Sequence, residues 1–299
     1  SGEEMSFWYL KPLRIMHTVL REIDAKNYDA NAVVAYLKKG SYNTLCVNAG
    51  GIVDFFQNPL PAANINRIMG KRDILKEITV ACRNAGIKVI ARIDFRGAEE
   101  HIYRKFPDWF KKDSSQNPVT TTYTNPVLYE SCYSGHYRNE YANEFVHYVL
   151  KNYAVDGIWH NAPGVNGICY CPKCKSAFQA ASGKDIPLQS ASEEELDRYM
   201  SWKEQAADQY MDRIKKTVKS FGADKAYTAE VFSIYGVGQR IDSGIDLDSA
   251  RKHFDILVSV AFLTANGRGE DFPYENLNYG STIIKFLKSM VPEREAVVM

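Results

Sequence analysis

The sequence predicts an α/β fold, namely a (β/α)₈ TIM barrel that is truncated or incomplete at its C-terminal end. Short apolar segments alternate along the chain with amphipathic segments that carry helix-capping residues, which is typical of βα units around a parallel sheet. At a length of 299 residues such a barrel forms one domain, here spanning 1–299. Seven strand-like segments are present, whereas a closed barrel of this class needs eight.

The strand-like segments are short and rich in β-branched and aromatic residues. The third, from Ile87 to Phe95, is the clearest, because its first half is mostly apolar and its second half alternates apolar with charged residues. Such a run suits a parallel strand that is buried on both faces and ends among polar groups. In chain order the seven segments are 14–20, 44–48, 87–95, 157–161, 226–231, 254–260 and 295–299.

Helices are predicted between the strands from capping signals and from apolar residues spaced three or four apart. Asp29 is a suitable N-cap for a first helix, which Gly40 ends. Ser192 and Glu195 form a capping box at the start of a long helix that ends near Gly222. The other predicted helices span 73–85, 137–153 and 281–290.

Charge and hydropathy argue against several classes of function. The net charge is +1, so no overall field favours nucleic acid or an anionic membrane. No apolar run is long enough to span a bilayer, so membrane insertion is not expected. Residues 1–4 lack the basic and apolar regions of a signal peptide, which favours the cytoplasm slightly, although a removed export signal would leave no trace. A homo-oligomer is compatible with this composition.

A cluster of cysteines follows the fourth strand. Cys169, Cys171 and Cys174 form a Cys-x-Cys-x-x-Cys motif, in which three thiols are close enough to converge on one ion. Zinc prefers four tetrahedral ligands, and Cys132 is the candidate for the fourth. The predicted zinc is structural, because four protein ligands leave no position for substrate, and it marks a metal-bearing loop at about 162–183. A disulfide or reduced thiols are the alternatives.

Polar residues at the C-terminal ends of barrel strands are the first candidates for a catalytic site. Cleavage of a glycosidic bond uses two carboxyl groups, and Glu230, at the end of the fifth strand, is the better candidate for the acid. Partial desolvation there would raise its pKa. Asp94 is the second candidate, and Arg92, on the same strand face, either holds Asp94 ionised or binds a sugar hydroxyl. A purely structural Arg–Asp pair is the alternative.

Four further residues are predicted to bind substrate. His17 lies on the first strand, and Trp159, His160 and Asn161 lie on the fourth. The imidazole and amide groups suit hydrogen bonds with sugar hydroxyls, and an indole ring is a stacking platform for a sugar. Each also has an ordinary structural interpretation, as a core ring or as a polar group satisfied within the protein.

Several motifs resemble those of a known group. Residues 155–164, together with the cysteine cluster and Phe178, resemble the hypothetical glycoside hydrolase family 6 group, whose barrels are similar to family 42 β-galactosidases and to α-L-fucosidases. Residues 91–95, 107–110 and 131–133 fit the same group. The resemblance implies a barrel that hydrolyses oligosaccharides or glycoconjugates. It also implies a four-cysteine zinc site, which family 42 enzymes carry near this place.

The catalytic residues of those enzymes do not transfer intact to this sequence. Family 42 enzymes have Asn-Glu at the end of strand four, with the Glu as acid/base, whereas Asn161 is followed by Ala162 here. Fucosidases have a nucleophilic Asp where this chain has Asn161, and the family 42 nucleophile follows strand seven, where this sequence ends. The alternatives are therefore a barrel that binds carbohydrate without cleaving it, an inactive catalytic domain, or a barrel enzyme of another class.

Overall fold

The computed structural model describes residues 6–121, 125–231, 244–245, 247–259 and 279–299. Residues 1–4 and Val260, the last residue of the predicted sixth strand segment, lie outside the described residues. The strands are β1 (Ile15–Thr18), β2 (Thr44–Gly51), β3 (Lys88–Asp94), β4 (Gly97–Ala98), β5 (Thr120–Thr121), β6 (Leu128–Glu130), β7 (Gly157–Asn161), β8 (Ala226–Val231), β9 (Ile256–Ser259) and β10 (Glu295–Val298). The α-helices are α1 (Ala30–Lys39), α2 (Ile74–Asn84), α3 (Glu100–Lys105), α4 (Ala142–Asn152), α5 (Pro172–Ser182), α6 (Glu193–Ser220), α7 (Leu247–His253) and α8 (Tyr279–Met290).

Seven strands form one parallel sheet in the order β1-β2-β3-β7-β8-β9-β10, which follows the chain. The sheet is strongly curled, as a contact between its two edges shows. His17 Nδ1 on β1 lies 2.9 Å from the sulfur of Met299, which follows the opposite edge strand β10. The predicted α/β barrel class and its seven strands are therefore confirmed. Within the described part of the chain β1 and β10 are the two edge strands.

The irregular segment after β3 contains a second sheet that was not predicted. Its strands β4, β6 and β5 are antiparallel and only two or three residues long, too short for a hydrophobic period to show in the sequence. Because β4 begins three residues after β3 ends, this small sheet lies beyond the carboxyl end of the main sheet.

The inner strands of the main sheet are largely buried on both faces, whereas the edge strands β1 and β10 are half-buried. Alternate residues pack either against the helices or against an inner cluster of Cys46, Ile90, Trp159, Ala226, Ile256 and Val258. Trp8 and Tyr9 close this inner layer at the amino ends of the strands. Their side chains donate hydrogen bonds of 2.8 Å to the carbonyl oxygens of Asp224 and Ala223, just before β8. Since the amino ends are closed by these rings, the polar residues of the inner face are accessible from the carboxyl ends of the strands.

The predicted helix caps are present. The Asp29 side chain accepts hydrogen bonds from the first turn of α1, and Ser192 with Glu195 forms the capping box of α6. Three helices, α3, α5 and α7, were not predicted. Among the described helices, none combines the length and the apolar character that a membrane-spanning helix needs.

Candidate functional site

Three adjacent strands bring the predicted catalytic residues together on the inner face of the sheet. Asp94 ends β3 and lies opposite Asn161, which ends β7. The Asn161 side-chain amide donates a 2.7 Å hydrogen bond to Asp94 Oδ2. Glu230, on β8, reaches the other side of β7, where Trp159 Nε1 donates a 2.6 Å bond to Glu230 Oε2. Two carboxyl groups thus flank one strand at the carboxyl end of the sheet.

Glu230 is fully buried, and each of its carboxyl oxygens accepts a hydrogen bond. The second bond, of 2.9 Å, comes from the backbone N–H of Ala162 to Oε1. Burial raises the pKa of Glu230, although the hydrogen bonds from Ala162 and Trp159 and the charge of Arg92 act in the opposite direction. The carboxyl group therefore keeps its proton to a higher pH than an ordinary glutamate, which is the property of a general acid.

Asp94 is paired with Arg96, not with Arg92. The Arg96 guanidinium lies 2.9 Å from Asp94 Oδ2, and the Arg96 backbone N–H donates to Oδ1 at 3.1 Å. The interpretation that Arg92 holds Asp94 is therefore wrong. Residues two apart on one strand face are separated by almost 7 Å along the strand, whereas the turn after β3 brings Arg96 back onto the carboxylate.

The end of β2 packs directly against the backbone of Asp94. Gly51 has a φ of 113°, and a Cβ at this position would lie 2.0 Å from the carbonyl oxygen of Asp94, so only glycine fits. Fully buried Asp54 braces this loop by accepting hydrogen bonds from the backbone N–H groups of Gly51 (3.0 Å) and Asn64 (2.9 Å). Burial raises the pKa of Asp54 to about 7, despite these hydrogen bonds. A glycine pair followed by an aspartate was the available sequence signal.

Arg138 clamps the loop that presents the Ala162 N–H to Glu230. Ala162 has a left-handed backbone with a φ of 44°, which is unfavourable for a residue with a Cβ. The Arg138 guanidinium, only 1% exposed, donates to the carbonyl oxygens of Pro163 and, at 3.2 Å, of Gly164. Its Nε donates to Ser131 Oγ at 2.9 Å, which joins the loop after β6 to the loop after β7. No sequence signal distinguished this arginine from a surface helical one.

We expect Arg138→Met to lower the free energy of unfolding by about 3 kcal/mol, because several buried acceptors lose their donor and the strained loop loses its clamp. Urea denaturation followed by tryptophan fluorescence measures this change. The control is Arg104→Met, which removes an exposed ion pair with Glu100 and should cost less than about 1 kcal/mol. Equal destabilisation by the two changes would contradict the clamp.

His17, Trp159 and Arg92 meet deeper on the inner face. The His17 ring lies 5.0 Å from the Trp159 ring, and Trp159 is almost fully buried, so its indole is a wall and a hydrogen-bond donor to Glu230. Burial, together with the charge of Arg92, lowers the pKa of His17 to about 4, so this histidine is neutral. Their predicted contacts with substrate stay predictions.

His160 is placed apart from the other predicted site residues. It faces the helical layer, where its Nε2 lies 2.5 Å from the Tyr210 hydroxyl on α6, and it is fully buried. Burial, followed by the charge of Arg138, lowers its pKa to about 3. The alternation of strand side chains gives residue 160 the opposite face from residues 159 and 161, so strand parity was the signal that indicated this position.

The four cysteines converge on one point. Their sulfur atoms all lie within 4.8 Å of one another, and all four residues are buried. Cys132 Sγ lies 3.8 Å from Cys171 Sγ and 3.6 Å from Cys174 Sγ, too far for the roughly 2.05 Å of a disulfide. A tetrahedron with metal–sulfur bonds of about 2.3 Å has edges of about 3.8 Å. The cluster can therefore hold one metal ion.

Local backbone geometry holds the sulfurs in place. The N–H of Gly135 donates to Cys132 Sγ at 3.2 Å, and that of Cys174 donates to Cys171 Sγ at 3.4 Å, where Cys171 is also the N-cap of α5. Hydrogen bonds among the thiols lower the pKa of Cys171 and raise the pKa of Cys132, so Cys171 loses its proton more readily than Cys132. Gly135 is needed because a Cβ there would lie 2.6 Å from the carbonyl oxygen of Trp109.

Residues 29–162 match a family model described as hypothetical glycosyl hydrolase 6. The chain resembles this family, as its motifs predicted. A comparison with curated proteins gives no match.

Solved structures of glycosidases share the fold. An α-L-fucosidase, isoenzyme 2 from Paenibacillus thiaminolyticus, is 17% identical with a TM-score of 0.60, over 97% of this chain and 46% of that one. The PgaB glycoside hydrolase domain from Bordetella bronchiseptica is 12% identical with a TM-score of 0.66, over 86% and 76%. A β-galactosidase from Rahnella sp. R3 is 14% identical with a TM-score of 0.64, over 95% and 44%. This chain spans less than half the length of the fucosidase and the galactosidase.

Proposed function

We propose that this chain is the barrel portion of a glycoside hydrolase that acts on an oligosaccharide or a glycoconjugate. The observation that supports this most is the pair of carboxyl groups on either side of β7, which have opposite environments. Glu230 is buried away from any cation within salt-bridge distance in the described residues, whereas Asp94 is paired with a guanidinium. Two carboxyl groups whose surroundings differ in this way are suited to acid and carboxylate roles in glycoside cleavage.

In the proposed reaction Glu230 is the general acid. Its carboxyl proton moves to the glycosidic oxygen while the bond between that oxygen and the anomeric carbon breaks. The carboxylate that forms keeps the hydrogen bonds of Trp159 Nε1 and the Ala162 N–H, which stabilise its negative charge. Both donors are already in place before the proton leaves, so no reorganisation is needed.

Asp94 is the proposed second carboxylate. It either attacks the anomeric carbon or takes a proton from the water that attacks it. Asn161 and Arg96 fix its orientation, so the carboxylate is held for reaction on the far side of the sugar. β3 and β8 are separated by one strand, and their backbones are therefore about 9–10 Å apart. The two carboxyl groups lie on either side of the Asn161 and Trp159 side chains of β7.

The proposed ion at the four-cysteine cluster is Zn²⁺ with a structural role. Four thiolates form a closed tetrahedral set, which zinc favours and which offers no open position to substrate. The ion would be held by Cys132, Cys169, Cys171 and Cys174, and would fasten the loop after β6 to the start of α5. It takes no part in the proton transfers.

A panel of 4-nitrophenyl α- and β-glycosides tests the proposed function. We expect at least one glycoside to be hydrolysed with a turnover that Asp94→Asn and Glu230→Gln both reduce strongly. Release of 4-nitrophenolate and of the free sugar, measured together, distinguishes hydrolysis from transfer. Binding of sugars without turnover would contradict the proposal and support a barrel that only binds carbohydrate, an alternative that the alanine at position 162 makes worth testing.

A further inference from the structure

The inner face carries one guanidinium that the described residues do not neutralise. Asp94 is paired with Arg96, and both oxygens of Glu230 are taken by Trp159 and Ala162. Arg92 lies on the same face of β3 as Asp94, beside Trp159 in register, and forms no hydrogen bond or ion pair with any described residue. Its Nε is buried and has no acceptor among the described residues.

An arrangement of this kind is energetically unfavourable. A guanidinium has five N–H donors and a permanent charge, and buried charges are ordinarily paired. In the proposed mechanism Glu230 carries its proton when the glycoside binds, and is therefore neutral. The positive charge of Arg92 then has even less compensation. Arg92 is partly open to solvent, so a ligand can supply the missing acceptors.

His17 supplies a second unsatisfied atom on this face. Its Nδ1 contacts the sulfur of Met299, a weak acceptor, so Nδ1 is best assigned as the protonated nitrogen. Its Nε2 is then a lone-pair acceptor, and it is buried without a hydrogen-bond partner among the described residues. A hydroxyl group fits that acceptor, whereas an anion does not. The two unsatisfied groups therefore call for a ligand that has both an oxyanion and a hydroxyl.

We propose that Arg92 binds an oxyanion carried by the sugar, a uronic carboxylate or a sulfate ester, so that the substrate class is an anionic glycan. This inference rests on the proposed glycoside hydrolase function. The planar fork of a guanidinium pairs with two oxygens of a carboxylate or a sulfate, which a single sugar hydroxyl does not offer. Only an anion both fills these donors and compensates the charge.

Paired oligosaccharides test the inference by calorimetric titration. One pair is oligogalacturonates and their carboxyl-reduced forms, and the other is carrageenan oligosaccharides and their desulfated forms. We expect the anionic member of one pair to bind about 10- to 100-fold more tightly than its neutral counterpart. Which pair shows the preference identifies the carboxylate or the sulfate as the oxyanion.

Variants connect the preference to Arg92. Arg92→Met should abolish it, and Arg92→Lys should keep the charge but retain only part of it. The control Arg83→Met removes the same charge from an exposed position in α2 and should leave the preference unchanged. Binding of neutral members as tightly as anionic ones, or a preference that persists in Arg92→Met, would overturn this inference alone. Binding of none of the oligosaccharides would also overturn this inference, whereas the proposed function would be overturned only by the absence of turnover on the 4-nitrophenyl glycosides.

Discussion

Replacing Glu230 with glutamine is expected to lower kcat/KM for a glycoside with a poor leaving group by about 10²- to 10⁴-fold. The amide has almost the shape of the acid, but it has no proton to give to the leaving oxygen. A 2,4-dinitrophenyl glycoside, whose leaving group departs without protonation, should lose much less activity in the bond-breaking step. The ratio of the two losses, measured by initial rates on both substrates, reports the acid role separately from binding or folding.

The pH dependence gives a second measure of the same role. A general acid must be protonated, so kcat/KM should fall as the pH rises through the pKa of Glu230, which burial has raised. This basic limb should be absent from the profile of Glu230→Gln. Glu100→Gln, an exposed change on α3, is the matched control and should keep both the limb and the rate. If Glu230→Gln loses activity equally on both leaving groups and keeps the limb, another group is the acid.

The position of this carboxyl pair was predictable because it depends on local and topological rules. Residues that end parallel strands meet at one edge of the sheet, so Glu230, Asp94 and Asn161 were expected to lie near one another. The capping box at Ser192 and the aspartate cap at Asp29 are also local, since each joins a side chain to backbone groups two or three residues away.

The partners of these groups were not predictable, because they depend on where loops turn back. Arg96 reaches Asp94 only because the chain turns into β4, and Arg138 reaches the loop at Ala162 from a helical turn that is distant in sequence. The β4–β6–β5 sheet that shapes this region has strands too short for any pattern to reveal. His160 was misplaced for a different reason, since its polar type was given more weight than its position in the strand alternation.

The other large effect is expected at the cysteine cluster. Purified protein should contain about one zinc per chain, and Cys171→Ser should lose it together with a large part of the stability. Structural zinc binds to zinc-finger peptides with an apparent free energy of about 10–16 kcal/mol at neutral pH. Losing even a fraction of this free energy would destabilise the protein more than most single substitutions do. Elemental analysis and thermal denaturation measure the two effects.

The neighbours of the cluster explain why the loss should spread beyond it. The Cys169 backbone N–H donates to the Tyr199 hydroxyl of α6, and Ser131, next to Cys132, accepts from Arg138. Releasing the sulfurs therefore loosens α6 and the clamp that holds Ala162 against Glu230.

Cys82→Ala is the matched control, because Cys82 is equally buried but lies in α2, outside the cluster. It should keep the metal and should cost about 1 kcal/mol. A wild type that is purified without metal, and whose melting temperature does not rise on addition of zinc, would show that the four thiols hold together without an ion. A Cys171→Ser variant that keeps zinc, with Tm unchanged, would place the ion elsewhere. In either case the loops after β6 and β7 would depend on Arg138 and on the hydrogen bond from the Val165 N–H to the Tyr133 hydroxyl. Arg138→Met should then be the more destabilising of the two substitutions.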